Sequence, residues 1–324
     1  MNFLKNKTIL ITGGTGTFGN EVTKFILNNI KVKKLIIFSR DENKQYEMSK
    51  KFSKKRNIRF LIGDIRDQNR LMTAFRGVDY VIHAAAMKHV PASEYNPIEC
   101  IKTNIDGSDS VINAAIERKV KRVIALSTDK ACNPVNLYGA TKLCSEKLFV
   151  NANQYSNETK FSVVRYGNVI GSRGSVIPFF QSLLKQKKTL PITSKDMTRF
   201  FIPISDSVKF VLNRLNDSYG GEIFIPKMNS IKLIDLIKLL DKAAKITIIG
   251  IRPGEKIHES LFSLDEARSV NQFKTFFVIY SDHIFYKKKY GKKLTKEKAY
   301  ISSNKELLNI NKIKYFLKSY LREI

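Results

Sequence analysis

Tyr138 and Lys142 stand four residues apart in LSTDKACNPVNLYGATK, the stretch from Leu126 to Lys142. On a helix this spacing puts both side chains on one face. A nearby ammonium favours the phenolate and lowers a tyrosine pKa from about 10. Tyr138 could then take a hydroxyl proton while a hydride leaves the same carbon for a nicotinamide. Just upstream, after Ser127 and Thr128, Asp129 and Lys130 set opposite charges side by side. They offer an acid and a base, or else a solvated ion pair at a strand end.

Such chemistry needs a frame. Apolar runs of strand length, TILIT (8–12), KLIIF (34–38), IRFLI (58–62), DYVIHA (79–84), KRVIALS (121–127) and FSVVRY (161–166), alternate with polar stretches that are apolar at helical spacing. The alternation predicts an α/β fold, a parallel sheet covered by helices on both faces. From about residue 168 the rhythm becomes irregular, with prolines at 178, 191, 203, 226 and 253. We expect a cofactor-binding domain over 1–170. A smaller substrate-binding domain over 171–324 should close over the sheet's carboxyl edge and return some segments to the sheet.

TILITGGTGTFGNEV places Gly13, Gly16 and Gly19 between the first strand and a helix, with Thr15, Thr17 and Phe18 filling out the turn. Such a turn lets backbone N–H groups and a helix N-terminus approach a pyrophosphate, and the repeating β-α context makes the pattern specific. NAD binders usually place an acid about 20 residues beyond the glycines, on the ribose 2′-OH. Here Ser39 and Arg40 stand there, followed by Asp41 and then Lys44. A guanidinium suits a 2′-phosphate, so the expected cofactor is NADP. Asp64 in GDIRD reads either as a partner of the adenine amino group or as a helix N-cap. Ile65 beside it and Ala84, ending the fourth apolar run, complete the expected cofactor contacts.

The chain of 324 residues is 43% hydrophobic and 27% charged, ordinary for a globular protein. No run approaches the roughly 20 apolar residues that span a bilayer, and the N-terminus enters a strand without a signal core. The expected location is the cytoplasm. A formal net charge of +28 could mark a nucleic-acid binder, but the lysines are scattered, and spread charge makes a poor phosphate track. Neither nucleic acid nor membrane is an expected partner. The densest basic run, YKKKYGKKLTKEK at 286–298, reads as a solvated, mobile segment. Cys100, Cys132 and Cys144 match no metal-ligand spacing and read as reduced structural thiols. His83, in an apolar strand, reads as a core residue. His258 and Glu259 lack the rest of a zinc motif, so no metal is expected.

With the glycine turn, Ser127-Thr128 and the Tyr138–Lys142 pair in this order, the chain resembles the extended short-chain dehydrogenase/reductase family. The resemblance implies a Rossmann-type doubly wound sheet, a smaller C-terminal substrate-binding domain and nucleotide-sugar substrates. The family's 4,6-dehydratases oxidise C4, eliminate water across C5 and C6, and return hydride to C6. Retaining members carry Asp-Glu after the threonine, whereas here Thr128-Asp129-Lys130 puts lysine in place of glutamate. That replacement marks the inverting UDP-N-acetylglucosamine 4,6-dehydratases, which also epimerise C5. The segments AAAMKHVPASEYNPIECIKTN (84–104), STDKACNPVNLYGATKL (127–143), VVRYGNVIGSRGSVIPFF (163–180), MTRF (197–200) and RPGEKIHE (252–259) are similar to the pseudaminic-acid type of that group.

The roles that follow are those the resemblance implies. Tyr138, tuned by Lys142, is the base at the C4 hydroxyl, with Thr128 as a hydrogen-bond partner. Lys130 is the C5 base, provided its pKa is depressed in the closed site. Asp129 is the acid at the C6 hydroxyl and is protonated at that step. Lys88, Asn168, Arg173, Thr193, Arg252 and Glu255 align with substrate-lining segments. The arginines suit a diphosphate, and Glu255 suits a sugar or ribose hydroxyl. The net reaction is loss of water, because NADP is regenerated in each cycle. The resemblance further implies a homo-oligomer, with a hexamer as the suggested form, and a product used for pseudaminic acid, flagellin glycosylation or another surface glycan. The chain starts at the first strand, as the short soluble members do. A nucleotide-sugar 4-epimerase would use the same tyrosine and cofactor but needs no acid–base pair at Asp129 and Lys130. A non-catalytic dinucleotide or nucleic-acid binder needs no intact Thr128, Tyr138 and Lys142.

Overall fold

The computed structural model describes residues 1–281, 286, 289–303, 308, 311, 313–314 and 317. Its centre is a ten-stranded, mostly parallel sheet. The first half supplies β1 (Thr8–Thr12), β2 (Lys34–Ser39), β3 (Ile58–Ile62), β4 (Tyr80–His83), β5 (Arg122–Thr128) and β6 (Lys160–Tyr166). They pair in parallel in the order β3-β2-β1-β4-β5-β6. The apolar runs are continuous because both faces are covered, and every residue of β1 is buried. Between the strands lie α1 (Thr17–Asn29), α2 (Glu42–Lys51), α3 (Gln68–Ala74), the short α4 (Val90–Tyr95) and α5 (Pro97–Ile101), α6 (Gly107–Glu117) and α7 (Leu137–Asn151). Strand order reverses between β1 and β4, and ligands of open α/β sheets bind outside the carboxyl ends of the strands at that point.

Beyond β6 the chain contributes to several layers. A three-stranded sheet joins β7 (Asn168–Val169), β9 (Thr198–Ile202) and β11 (Asn229–Lys232), and a two-stranded one joins β8 (Leu190–Ile192) and β12 (Ile246–Ile248). β10 (Glu222–Pro226) returns to the main sheet, parallel to β6. Three strands then extend that sheet in antiparallel fashion: β15 (Phe276–Tyr280) on β10, β14 (Val270–Gln272) on β15, and β16 (Lys292–Lys293) on β14. A last pair is β13 (Ser260–Phe262) with β17 (Tyr300–Ile301). The helices of this half are α8 (Val176–Lys185), α9 (Ile204–Asp217), α10 (Leu233–Leu240) and α11 (Leu264–Ala267).

The main core draws on both halves, with Phe161, Phe224 and Phe277 in one cluster, and a smaller core gathers Ile170, Phe201, Ile231 and Leu236. Arg165, with no exposed surface, joins the halves. Its guanidinium reaches Glu146 of α7 at 2.9 Å and Glu266 of α11 at 2.8 Å. Among the described residues, no helix is long and apolar enough to cross a membrane. In the basic run, residues 287 and 288 lie outside the described ones, and most of 289–298 is exposed.

Candidate active site

Thr128 ends β5, and its hydroxyl caps the 3₁₀ turn Asp129–Ala131 by accepting from the Lys130 amide at 3.3 Å. Asn136 caps α7 by accepting from the Gly139 amide at 2.8 Å. Tyr138, Lys142 and Glu146 then lie along the buried face of α7. A Cβ on Gly139 would stand 2.2 Å from the Lys130 carbonyl oxygen, so glycine is what lets α7 approach the Asp129–Lys130 turn so closely.

The charges are arranged around one ammonium. Asp129 is fully buried. Its Oδ1 accepts from Thr128 Oγ1 at 3.0 Å and Lys130 Nζ at 3.1 Å, while its Oδ2 is buried without a partner. Burial pushes this carboxyl above the usual range; the Lys130 charge opposes the shift and Glu259 adds to it. Lys130 Nζ also lies 3.2 Å from Oε1 of Glu259. Burial pulls the Lys130 ammonium down, but Asp129 and Glu259 more than reverse it, leaving its pKa above the ordinary lysine value. The condition attached to Lys130 as C5 base, a depressed pKa in the closed site, runs against this direction: Asp129 and, from far along the chain, Glu259 both favour its proton. Nor is this a solvated pair: the Asp129 and Glu259 side chains are 1% and 3% exposed.

Tyr138 also departs from expectation. Burial pushes its phenol up to about 12, with the Lys130 charge and a Thr128 hydrogen bond pulling it down. Burial brings Lys142 down to about 8. The strongest charge favouring the phenolate is thus Lys130, not the helix neighbour Lys142.

At the glycine turn, Gly13 adopts φ +65°, and a Cβ there would meet the Ala84–Ala85 backbone at 2.7–2.8 Å. On Gly16 a Cβ would meet only the Gly13 oxygen, at 3.2 Å, so that side of the turn is open. No side chain caps α1. The open turn and the uncapped helix end fit a dinucleotide pyrophosphate. Thr15 is buried, Phe18 packs on the main core, and the Thr17 hydroxyl accepts from the Arg173 amide at 3.1 Å. Ser39 is held by Gln45, and Arg40 pairs with Asp64 at 3.4 Å. Asp41 caps α2, accepting from the Lys44 amide at 2.9 Å, and is ion-paired with Lys44. Asp64 accepts from the Arg66 amide at 3.0 Å, whereas Asp67 caps α3, so the N-cap alternative for Asp64 is not realised. Ile65 is buried against Gly107.

The other expected positions form two groups. Lys88 Nζ donates to the Arg173 carbonyl at 2.9 Å, which ties Lys88 to the loop that touches Thr17. Thr193 Oγ1 donates to Glu255 Oε2 at 2.7 Å, and Arg252 lies 4.0 Å from Glu255. Their loop reaches the start of α7, where Asn136 Nδ2 donates to the Gly254 carbonyl at 2.7 Å. Asn168 is on β7 beside Phe201 of β9. His83 is buried in the main sheet, with Nδ1 2.8 Å from Thr12 Oγ1, and burial brings it down to about 3. Cys100 and Cys132 are buried, Cys144 is exposed, and no metal cluster occurs among the described residues.

Sequence reasoning missed Glu259 and Arg199. Glu259 entered as half of a failed zinc pattern and as the end of RPGEKIHE, with no role of its own. Its usable signal was an acid immediately before the apolar run SLF, since a buried carboxylate needs a partner. Arg199 likewise stands among apolar residues in MTRFFI.

Residues 9–281 match the family described as polysaccharide biosynthesis protein. Over 276 residues the chain is 58% identical to the inverting UDP-N-acetylglucosamine 4,6-dehydratase of Campylobacter jejuni, covering 84% of this chain and 82% of that protein. It is 42% identical over 326 residues to the UDP-glucose 4-epimerase of Rickettsia bellii, covering 96% and 95%. Pen from Bacillus thuringiensis, a solved structure, aligns with a TM-score of 0.92 at 39% identity over 98% of this chain and 99% of that one. Taken with the doubly wound sheet and the Tyr138–Lys142 helix, these matches show that the chain belongs to the polysaccharide biosynthesis protein family, on the extended short-chain dehydrogenase/reductase fold.

Proposed function

We propose that this protein is an NADP-dependent UDP-N-acetylglucosamine 4,6-dehydratase that inverts C5. The observation that carries the reading is the buried Asp129–Lys130 contact beside Tyr138, at the carboxyl end of β5. The 58% identity to a dehydratase of that activity supports it. When bound, the dinucleotide supplies the chemistry of hydride removal at C4 and hydride return at C6.

The chain's own groups handle the protons. Tyr138, its phenol pulled down by the Lys130 charge and by Thr128, removes the C4 hydroxyl proton. Elimination then needs a neutral amine near C5 and a protonated acid near the C6 oxygen. Passing one proton along the 3.1 Å Lys130 Nζ–H···Oδ1 contact to Asp129 creates both at once. Lys130 takes the C5 proton, the C5–H electrons form the C5–C6 double bond, and the C6 oxygen leaves as water with the Asp129 proton. Thr193, Arg252 and Glu255 hold the nucleotide-sugar side, and Asn168, Lys88 and Arg173 line its approach. With hydride back at C6 and a proton returned to C5 from the opposite face, the product is a 4-keto-6-deoxy sugar of the kind used for pseudaminic acid or another surface glycan.

The purified protein incubated with UDP-N-acetylglucosamine in D₂O should yield a 4-keto-6-deoxy sugar with deuterium at C5, without added reductant. Proton NMR reads both features. A product that keeps its 6-hydroxyl would instead establish the 4-epimerase reading, which the 42% identity to a UDP-glucose 4-epimerase keeps in view.

The NADP assignment rests on Arg40 and on the use of Asp41 as a helix cap paired with Lys44, which leaves no free acid at the end of β2. Tighter binding of NADP than NAD is expected, and Arg40→Ala should narrow the gap. Equal affinities in the unmutated protein, measured by fluorescence titration, would sink the assignment.

A further inference from the structure

We infer that Glu259 is a positioning residue for the Asp129–Lys130 pair: its carboxylate fixes where the Lys130 ammonium sits beside Asp129. The inference rests on the function proposed above and adds to it a group from the far end of the chain.

Glu259 stands just before β13 and is 2% exposed. Its backbone is clamped from both sides, as its amide donates to Ser302 Oγ at 3.0 Å and its carbonyl accepts from the Ser302 amide at 2.8 Å. Its Oε1 is 3.2 Å from Lys130 Nζ and 3.8 Å from Arg199 Nε, and its Oε2 is buried without a partner. Arg199 is itself anchored, with Nη1 donating to the Ile257 carbonyl at 2.9 Å and Nη2 to the Lys256 carbonyl at 2.8 Å. The carboxylate therefore sits on a platform that does not depend on Lys130. Lys130, by contrast, is a flexible four-carbon stem that carries only a point charge. Without a fixed partner its nitrogen would be free to leave the 3.1 Å contact with Asp129 that the elimination uses.

The charges facing Lys130 come from several elements. They are Asp129 on its own turn, Tyr138 on α7, Arg199 on β9 and Glu259 before β13, while Lys256 acts on Glu259 from the adjoining loop. A negative charge at Glu259 raises the proton affinity of both Lys130 and Asp129. Removing it lowers both. The acid and alkaline limbs of the rate profile should therefore move together toward low pH. An ion pair that only held β9 to β13 would weaken stability and leave both limbs in place.

The experiment compares the full-length protein with Glu259→Gln and Glu259→Asp. In Glu259→Gln both limbs of the kcat profile should move down by about 1–3 pH units, and kcat at its optimum should fall about 10²-fold from lost positioning. KM should stay within about threefold, since no substrate contact is removed. In Glu259→Asp the charge remains but is drawn back, so kcat should fall while the limbs stay in place. Carbon-13 NMR of labelled lysine, with the Lys130 signal assigned through Lys130→Arg, should show Lys130 titrating lower in Glu259→Gln without any substrate. Unmoved limbs and an unmoved Lys130 titration in Glu259→Gln would overturn the inference, as would an effect confined to KM. If Glu259→Gln does not fold, unchanged kcat in Glu259→Asp overturns it. If the unmutated protein leaves UDP-N-acetylglucosamine intact, the proposed function fails and the lysine titration still decides the role of Glu259.

Discussion

On the proposed function, Lys130→Ala should retain the dinucleotide yet lose dehydration by a factor on the order of 10²–10⁴, the usual cost of removing one positioned acid–base group. Tyr138 and Thr128, which handle oxidation at C4, stay in place; the phenol loses the Lys130 charge that pulls it down, so this step slows too, but less than an elimination left without its base. A single turnover should therefore accumulate a 4-keto sugar that still carries its 6-hydroxyl, together with reduced cofactor visible in the near ultraviolet. The substitution also strips the counter-charge from two buried carboxylates, Asp129 and Glu259. The Lys130 side chain is 24% exposed, so the loss of stability should stay below the roughly 3–5 kcal/mol of a fully buried broken pair. Circular dichroism and cofactor retention separate the two effects. Dehydration at a near-normal rate with C5 inverted would remove Lys130 from the mechanism.

Arg165→Ala should cost about 3–5 kcal/mol, because it leaves the carboxylates of Glu146 and Glu266 without the cation between them. Urea denaturation at neutral pH reads the loss directly. Its pH dependence has a definite sign. In the unmutated protein the Glu266 carboxyl is raised by burial and lowered further by Arg165, so it ends below its ordinary value. Its share of stability is present above the unfolded carboxylate pKa and fades as pH falls through the folded one. Without Arg165 the desolvation of Glu266 is unopposed by that charge, so its carboxyl binds a proton more readily than in the unfolded chain and the variant's deficit should shrink on acidification. A deficit that is small, or that stays constant with pH, would show that packing and not charge holds α7 to α11.

The first six strands were legible because each is a continuous apolar run with a crossover helix after it, and parallel sheets covered on both faces write themselves in that way. EIFIP and FFVIY, which become β10 and β15, were not read as strands. They lie in the stretch where prolines break the rhythm, and their pairing is partly antiparallel and far from sequential. Thr128, Asp129, Lys130, Tyr138 and Lys142 were legible because one strand, one turn and one helix carry them all. The proton affinity of Lys130 was not. Judged beside Asp129 alone, its direction depended on burial, and Glu259, which only folding brings near, adds a second raising charge to that of Asp129. The same holds for Tyr138, where burial overrides the helix neighbour.

The loop after β7 lies against α1 through the Arg173 amide and the Thr17 hydroxyl, and Lys88 grips the Arg173 carbonyl. On the proposed function this makes the dinucleotide a resident tool and not a passing reagent. An oxidant that is reset within every cycle has no reason to depart, and a strap across its phosphate cradle slows departure whatever the affinity. A preparation that has passed through many columns should then still carry its original nucleotide.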